Sequence, residues 1–168
     1  MMRKTVIVWD LDGTLSDGRH RLHLLPKKDH NNTASWREFN LASCDDAPIW
    51  DNIELLRAQS AVGFHIVILT GRSDEAMQMT KEWLARYHVP YSRLIMRAAD
   101  DHRTDIEFKG ERLRQIGLNN ILCAFDDLEH VVKSFRKLGI TCHQVTHYED
   151  HEKHAHVKSQ EENERDSE

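Results

Sequence analysis

Five short apolar runs separated by segments of helical periodicity constrain the fold of this 168-residue chain more than any other feature. The runs occupy residues 6–9, 65–69, 94–96, 121–125 and 140–145. Uninterrupted apolar runs of this length are typical of strands that are covered on both faces. Residues 48–62, 74–87, 106–116 and 128–138 lie between them and predict helices. This alternation predicts an α/β fold, with a central parallel sheet between two layers of helices.

The predicted helices are bounded by residues that favour capping. Asp127 precedes apolar side chains at i, i+3, i+4 and i+7 spacing, and it is placed to cap the helix that they predict. Gly63, Gly117 and Gly139 each follow a predicted helix, where glycine commonly ends one. These residues therefore predict where three of the helices stop and where the last one begins.

Three of the predicted strands end in polar clusters. The clusters are Asp10-Leu11-Asp12, Thr70-Gly71-Arg72 and Asp126-Asp127. Because a parallel sheet places the carboxyl ends of its strands along one edge, we expect the clusters to meet in one crevice. Lys109, near the start of a predicted helix, can reach the same place. Carboxylates, a hydroxyl and cationic groups gathered in this way favour a Mg²⁺ site and phosphoryl-transfer chemistry.

Composition limits the classes of protein to which the chain can belong. The formal net charge of -5 gives no overall basic footprint for nucleic acid, although eight of the acidic residues lie in residues 149–168. No apolar run approaches the roughly 20 residues that span a bilayer, and the first residues enter the first strand without room for a secretory signal. Cys44, Cys123 and Cys142 show no C-x-x-C spacing, and Cys123 and Cys142, which lie inside apolar runs, are predicted to be buried thiols. A cytoplasmic protein that does not bind membranes is expected.

Two segments stand apart from the alternating pattern. Residues 16–47 are polar and too poor in apolar side chains to form a core, and they predict a flap or small insertion. Trp36 and Phe39, one helical turn apart within it, either anchor the insertion to the core or stack on a base. Residues 148–168 are rich in His and Glu and predict a disordered tail. One domain is therefore expected over residues 1–147.

The sequence Asp10-Leu11-Asp12-Gly13-Thr14 after a short apolar strand resembles the first motif of the haloacid dehalogenase-like (HAD) phosphohydrolases. Thr70, Lys109 and the Asp126-Asp127 pair follow in the order and residue type of the other three motifs. The resemblance spans roughly residues 5–145. It implies a Rossmann-like, three-layer HAD fold with a minimal cap, and a phosphoric monoester hydrolase.

The same resemblance implies a role for each motif residue. Asp10 is the nucleophile that forms an aspartyl-phosphate, a chemistry open to carboxylates. Asp12 protonates the leaving oxygen and then deprotonates the hydrolytic water. Thr70 binds a phosphoryl oxygen, and Lys109 neutralises the nucleophile and the phosphate.

A magnesium ion is the cofactor that this family resemblance implies. Its ligands are Asp10, the main-chain carbonyl of Asp12, and either Asp126 or Asp127. A non-catalytic binding module that retains the fold is the alternative class, but the intact motif residues argue against it.

A closer resemblance is to the 3′-phosphatase domain of bacteriophage polynucleotide kinase. It rests on Asp105-Ile106-Glu107-Phe108-Lys109, Gly71-Arg72, Asp126-Asp127 and the segment from Arg136 to Val145. It implies substrate-site roles for Arg72, for Arg21 or Arg19, and for Asp105. Asp105 either caps the following helix or orders Lys109 or Arg72. No G-x-x-x-x-G-K-[ST] phosphate loop occurs in the sequence.

Two substrate classes remain open at this level. About sixty residues separate the first two motifs and about forty the second and third, which leaves no room for a lid domain beyond the insertion. An open site admits the 3′-phosphate end of a nucleic acid. A neighbouring subunit of a homo-oligomer that covers the site would suit a free (deoxy)nucleotide or another small phosphate ester.

Overall fold

The computed structural model describes residues 4–145 and has a five-stranded sheet at its centre. Its strands are β1 (Val6–Trp9), β4 (His65–Ser73), β5 (Arg93–Arg97), β6 (Ile121–Asp126) and β7 (Cys142–Gln144). The order across the sheet is β5-β4-β1-β6-β7, and every neighbouring pair is parallel. The first strand therefore lies in the middle, flanked by β4 and β6. The predicted α/β class and parallel sheet are confirmed.

Five α-helices accompany the sheet: α1 (Arg37–Leu41), α2 (Trp50–Ala61), α3 (Met77–Arg86), α4 (Asp105–Ile116) and α5 (Glu129–Lys137). Side chains of β1 alternate between the two faces of the sheet. Val8 packs with Phe108 of α4 and Phe135 of α5, whereas Trp9 packs with residues of α2 and α3, among them Leu56 and Trp83. Apolar residues are needed on both faces because both are covered. The three-layer arrangement of a HAD-like fold follows.

Element ends differ from the sequence prediction in four places. Strand β4 continues through the polar cluster Thr70-Gly71-Arg72 to Ser73, and β7 is shorter than predicted. The helix predicted from residue 74 begins as a 3₁₀ turn over Asp74–Ala76. The assignment of Asp127 as a helix cap is wrong: Leu128 occupies the cap position, and its backbone N–H donates to Oδ1 of Asp126 at 3.0 Å.

The insertion is held at its base by a short antiparallel pair, β2 (Ser16–Asp17) and β3 (Ala47–Pro48). Between them lie 3₁₀ helices over Arg19–Leu24, Thr33–Trp36 and Ala42–Asp45, together with α1. The domain limits of 1–147 and 16–47 and the cytoplasmic location stay predictions. The tail from residue 148 lies outside the described residues.

None of the helices within residues 4–145 combines the length and the apolar character that a bilayer crossing requires. Cys44, Cys123 and Cys142 are free thiols. Cys123 and Cys142 are buried in the core, and burial raises the pKa of Cys142 to about 12.

Candidate active site

The carboxyl ends of β1, β4 and β6 lie next to one another because these strands are neighbours in the sheet. A cleft forms over this edge, and the described part of the chain lines it from three sides. The sheet edge and α4 contribute Asp10, Asp12, Thr70, Gly71, Arg72, Asp105 and Lys109. The insertion contributes His30, Asn31, Thr33, Trp36, Phe39 and Asn40, and the third side includes Arg97, His102 and Arg103. The structure thus brings together the polar strand ends that the sequence singled out.

Lys109 is the centre of the charged groups at the sheet edge. Its Nζ lies 2.8 Å from Oδ1 of Asp10, 2.8 Å from Oδ2 of Asp126 and 3.1 Å from Oδ2 of Asp105. Burial alone would lower the pKa of Lys109, but these carboxylates outweigh it and raise the pKa well above its usual value. The ammonium group is therefore permanently charged and faces the carboxylate of Asp10.

Asp10, Asp126 and Asp127 form a buried cluster in which one oxygen from each lies within 4.8 Å of the others. Burial raises the pKa of Asp127 well above its usual value, and the neighbouring carboxylates of Asp126 and Asp10 raise it further. Oδ1 of Asp127 is buried and has no hydrogen-bond partner. A buried oxygen without a partner is costly, so this cluster is incomplete with protein atoms alone.

The charge balance of the whole site points to the same conclusion. Carboxylates outnumber guanidinium and ammonium groups among the linked side chains of the site. Burial raises the pKa of Asp10 and of Asp127 well above the usual value, and a divalent cation would hold these carboxylates in the ionised form. Carboxylate oxygens are the ligands that Mg²⁺ prefers. The residues present therefore fit a magnesium ion at the Asp10–Asp126–Asp127 cluster.

Asp12 belongs to a different set of contacts. Its Oδ1 accepts hydrogen bonds of 2.5 Å from Nη2 of both Arg21 and Arg72, and its Oδ2 lies 3.3 Å from Nε of Arg72. Burial would raise the pKa of Asp12, but the two guanidinium charges outweigh it and lower the pKa below its usual range. Asp12 is therefore ionised in this structure, and its carboxylate lies outside the Asp10–Asp126–Asp127 cluster.

Asp46 holds these two arginines from behind. Arg21 donates to Asp46 from Nε and Nη2 at 2.7 Å each, and Nη2 of Arg72 lies 3.4 Å from Oδ2. Two further contacts fix the position of Asp46. Nε2 of His20 lies 2.9 Å from Oδ1, and the Asp46 backbone carbonyl accepts a hydrogen bond from the Trp83 indole at 2.8 Å. Asp46 is fully buried, so its carboxylate interacts with these side chains and not with solvent.

Gly71 and Asp105 approach each other closely on the opposite side of the site. A methyl group on Gly71 would overlap Oδ1 of Asp105, so only glycine fits there without movement. Arg97 joins the two, donating from Nε to the Gly71 carbonyl at 3.1 Å and from Nη2 to Oδ1 of Asp105 at 2.9 Å. Burial would raise the pKa of Asp105, but Lys109 and Arg97 lower it overall. Asp105 thus orders Lys109, and its basic partner is Arg97 rather than Arg72.

Thr70 lines the cleft beside these groups, and its Oγ1 accepts a hydrogen bond from the backbone N–H of Arg72 at 3.1 Å. The alternative that Asp105 caps its helix is wrong, because Thr104 occupies that position. The Thr104 side chain accepts from the Glu107 N–H, and the Glu107 carboxylate accepts from the Thr104 N–H.

The structure separates the two candidate arginines of the insertion. Arg21 is fully buried and bonds to Asp12, whereas the guanidinium of Arg19 pairs with Asp17 at 2.6 Å. Neither arginine lines the cleft itself. Two charged residues that the sequence analysis did not select, Asp46 and Arg97, complete the site. Arg97 ends β5 and could have been found by the same strand-end rule. Asp46 carries no such signal.

The wall that the insertion contributes to the cleft is tied to the same arginine. The ring of Phe39 lies 4.0 Å from the guanidinium carbon of Arg21, and its carbonyl accepts from Nη1 of Arg21 at 3.0 Å. Trp36 contacts Phe39 edge-on, with ring centroids 6.1 Å apart. Phe39 is buried and so anchors the insertion, while Trp36 is half-buried and lines the cleft.

One edge of the sheet carries an Asp-Leu-Asp-Gly-Thr strand end, a hydroxyl, a buried lysine and an acidic pair. This fold and this arrangement together define a HAD-class phosphatase. Comparison with known proteins agrees. Residues 4–150 match the family described as the polynucleotide kinase PNKP phosphatase domain. Because this match covers most of the sequence, the chain belongs to that family.

Solved structures share the fold. A chain of the Pnkp1/Rnl/Hen1 RNA repair complex is 28% identical with a TM-score of 0.67, over 86% of this chain and 43% of that one. A chain of a Pnkp1/Rnl/Hen1 complex is 25% identical with a TM-score of 0.67, over 87% and 47%. The present chain thus spans less than half the length of these relatives. A haloacid dehalogenase-like hydrolase of Streptococcus pneumoniae, 16% identical over 84% of each chain with a TM-score of 0.60, shares the fold.

Proposed function

We propose that this protein is a Mg²⁺-dependent phosphomonoesterase that acts through an aspartyl-phosphate on Asp10 and removes 3′-phosphates from nucleic-acid ends. The observation that carries the proposal is the position of Asp10. Its carboxylate lies at the cleft between the ammonium of Lys109 and the acidic cluster with Asp126 and Asp127. Family membership supports the nucleic-acid substrate.

Asp10 acts as the nucleophile in this proposal. One carboxylate oxygen attacks phosphorus, the bond from phosphorus to the ester oxygen breaks, and the phosphoryl group is left on Asp10. Lys109 stabilises the negative charge that gathers on the phosphoryl oxygens, since its ammonium is already held 2.8 Å from Oδ1 of Asp10. Thr70, Gly71 and Arg72 supply hydrogen-bond donors at the end of β4 for the same oxygens.

Asp12 transfers the protons. It gives a proton to the departing alcohol oxygen and later takes one from the water that hydrolyses the aspartyl-phosphate. Arg21 and Arg72 hold its carboxylate in place at 2.5 Å each, and they keep it ionised in the absence of substrate. A bound phosphate dianion competes for the guanidinium of Arg72, which lines the cleft, and this allows Asp12 to take up the proton that it donates.

Asp10, Asp126, Asp127 and the main-chain carbonyl of Asp12 are the proposed ligands of Mg²⁺. When bound, the ion neutralises charge on the phosphoryl oxygens and orients them. The unpartnered Oδ1 of Asp127 and the grouping of three buried carboxylates support this assignment. Asp105 and Arg97 act indirectly: Asp105 fixes the position of Lys109, and Arg97 fixes the Gly71 backbone.

Removal of phosphate from free (deoxy)nucleotides is the second candidate function. The net charge of -5 favours it, because a protein that binds long nucleic acids usually presents a basic surface. Family membership favours nucleic-acid ends. The two substrates share the phosphate site and differ only in what extends beyond it.

The deciding experiment compares four substrates at one salt concentration: a 3′-phosphorylated oligonucleotide, its 5′-phosphorylated isomer, and the 3′- and 5′-mononucleotides. The proposal predicts the highest kcat/KM for the 3′-phosphorylated oligonucleotide, and loss of activity with EDTA that Mg²⁺ restores. Equal or higher kcat/KM for a mononucleotide would favour the second candidate. Phosphate release that is unaffected by EDTA would overturn the metal assignment.

A further inference from the structure

One polar side chain on the wall of the cleft has no use in the proposed chemistry. Asn40, in α1, is 5% exposed and lines the cleft. Within residues 4–145, its side-chain amide makes no hydrogen bond. The residue as a whole is buried, but its amide keeps access to the cleft that it lines. Such a group is suited to a ligand that brings its own donors and acceptors.

Trp36 presents a fixed aromatic surface on the same wall. Its indole N–H donates to the His30 carbonyl at 2.9 Å, and its ring meets the buried Phe39 ring edge-on. These contacts hold the indole in one orientation while part of it stays accessible in the cleft. A rigid aromatic face of this kind stacks well on a flat heterocycle, because every base has a π-face.

The position of this wall relative to Asp12 indicates which part of a substrate it meets. Asp12 bonds to Arg21 at 2.5 Å, Arg21 bonds to the Phe39 carbonyl at 3.0 Å, and Phe39 is the chain neighbour of Asn40. The wall therefore lies next to the arginine that holds Asp12, the group that faces the departing alcohol in the proposed reaction.

We infer that Asn40 and Trp36 form a subsite for the nucleoside part of the substrate, with the Asn40 amide bonded to polar atoms of the sugar or base and the base stacked on Trp36. This inference rests on the proposed function and adds to it the residues that recognise the leaving group. An amide carries both a donor and an acceptor, the combination that base edges and sugar hydroxyls match. Base-on-aromatic stacking is sequence-tolerant, so this subsite accepts more than one base.

The test compares deoxythymidine 3′-monophosphate with acetyl phosphate, which has no ring and no sugar, using the full chain with Mg²⁺. We expect Asn40→Ala and Trp36→Ala each to lower kcat/KM for the nucleotide by about tenfold or more, mainly through KM. We expect both variants to keep kcat/KM for acetyl phosphate within about twofold. Activity on acetyl phosphate also reports that each variant is folded.

Two exposed residues outside the cleft provide matched controls. Trp50→Ala removes a surface tryptophan of α2, and Asn119→Ala removes a surface amide before β6. Both controls should leave the ratio of the two kcat/KM values unchanged.

Three outcomes would overturn the subsite. Equal losses on both substrates in Asn40→Ala and Trp36→Ala would indicate a structural role alone. No loss on the nucleotide would contradict the contact directly, while leaving the proposed function intact. A wild-type chain that hydrolyses acetyl phosphate but neither the nucleotide nor a 3′-phosphorylated oligonucleotide would overturn both the subsite and the proposed substrate.

Discussion

Arg21 and Asp46 form a two-pronged ion pair in which Nε and Nη2 of the guanidinium each lie 2.7 Å from a different carboxylate oxygen. Both side chains are fully buried. The pair fixes the plane of the guanidinium and leaves Nη2 also directed at Asp12. Asp46 thus orients the arginine that holds the proposed proton-transfer group, although it lies outside the cleft surface itself.

Asp46→Asn should therefore lower kcat/KM by up to about a hundredfold, since small displacements of catalytic groups have effects of that size. Removing one charge of a buried pair should also lower the free energy of unfolding by about 3 kcal/mol. Steady-state kinetics and urea unfolding measure the two effects. Asp17→Asn, which removes the partner of Arg19 in the same insertion, is the matched control. Equal kcat/KM in the two variants would show that Asp46 has no positioning role.

Gly71→Ala should displace the Asp105 carboxylate, because the added methyl overlaps Oδ1. Lys109 and Arg97 would lose a charged partner, and kcat should fall by about a hundredfold. Gly110→Ala, in the interior of α4, is the control: its added methyl meets only ordinary contacts, and alanine favours helix by about 1 kcal/mol. A Gly71→Ala chain as active as the Gly110→Ala chain would refute the close-approach argument.

Asp12→Asn should separate the two halves of the reaction. The variant still forms the adduct on Asp10 from an aryl phosphate, whose leaving group needs no proton, but it hydrolyses the adduct slowly because no base remains. Stopped-flow measurement should show a burst of about one equivalent of phenolate followed by slow turnover. Turnover at the wild-type rate without a burst would rule out Asp12 as the proton-transfer group.

The ionisation of Asp105 predicts how the free energy of unfolding depends on pH. Its pKa is lowered on folding, because Lys109 and Arg97 outweigh the effect of burial. A carboxyl group with a lowered folded-state pKa stabilises the fold above its unfolded pKa of about 3.9, and that contribution is lost as the pH falls through the folded pKa. The difference in unfolding free energy between wild type and Asp105→Asn should be full at pH 7 and shrink below about pH 4. A difference that is constant from pH 7 to pH 3 would contradict this.

The sheet could be predicted from the sequence because each apolar run is continuous and its end is marked by polar residues. Val6–Trp9 must be covered on both faces, and that requirement alone places a helix layer on each side. The same rule brought Asp10, Thr70 and Asp126 to one edge. The prediction that failed is local: Asp127 does not cap the last helix, because Leu128 occupies the cap position and its N–H bonds to Asp126.

The capping of α4 could have been predicted, since Thr104 and Glu107 have the spacing of a capping box. Arg97 likewise follows a predicted strand. Asp46 and Asn40 are different, because their importance comes from contacts made across the fold. The arginine partners of Asp46 are 25 and 26 residues away along the chain. Asn40 matters only because the insertion folds over the sheet edge, which no periodicity in residues 16–47 reveals.

The most direct test of the account is to locate the covalent phosphate. The Asp12→Asn chain is mixed with Mg²⁺ and a ³²P-labelled aryl phosphate, whose leaving group needs no proton, then quenched in acid and digested. The account predicts radiolabel on the peptide that contains Asp10, and none on a chain that carries both Asp10→Asn and Asp12→Asn. Label on another peptide, or label that persists in the doubly substituted chain, would contradict Asp10 as the nucleophile.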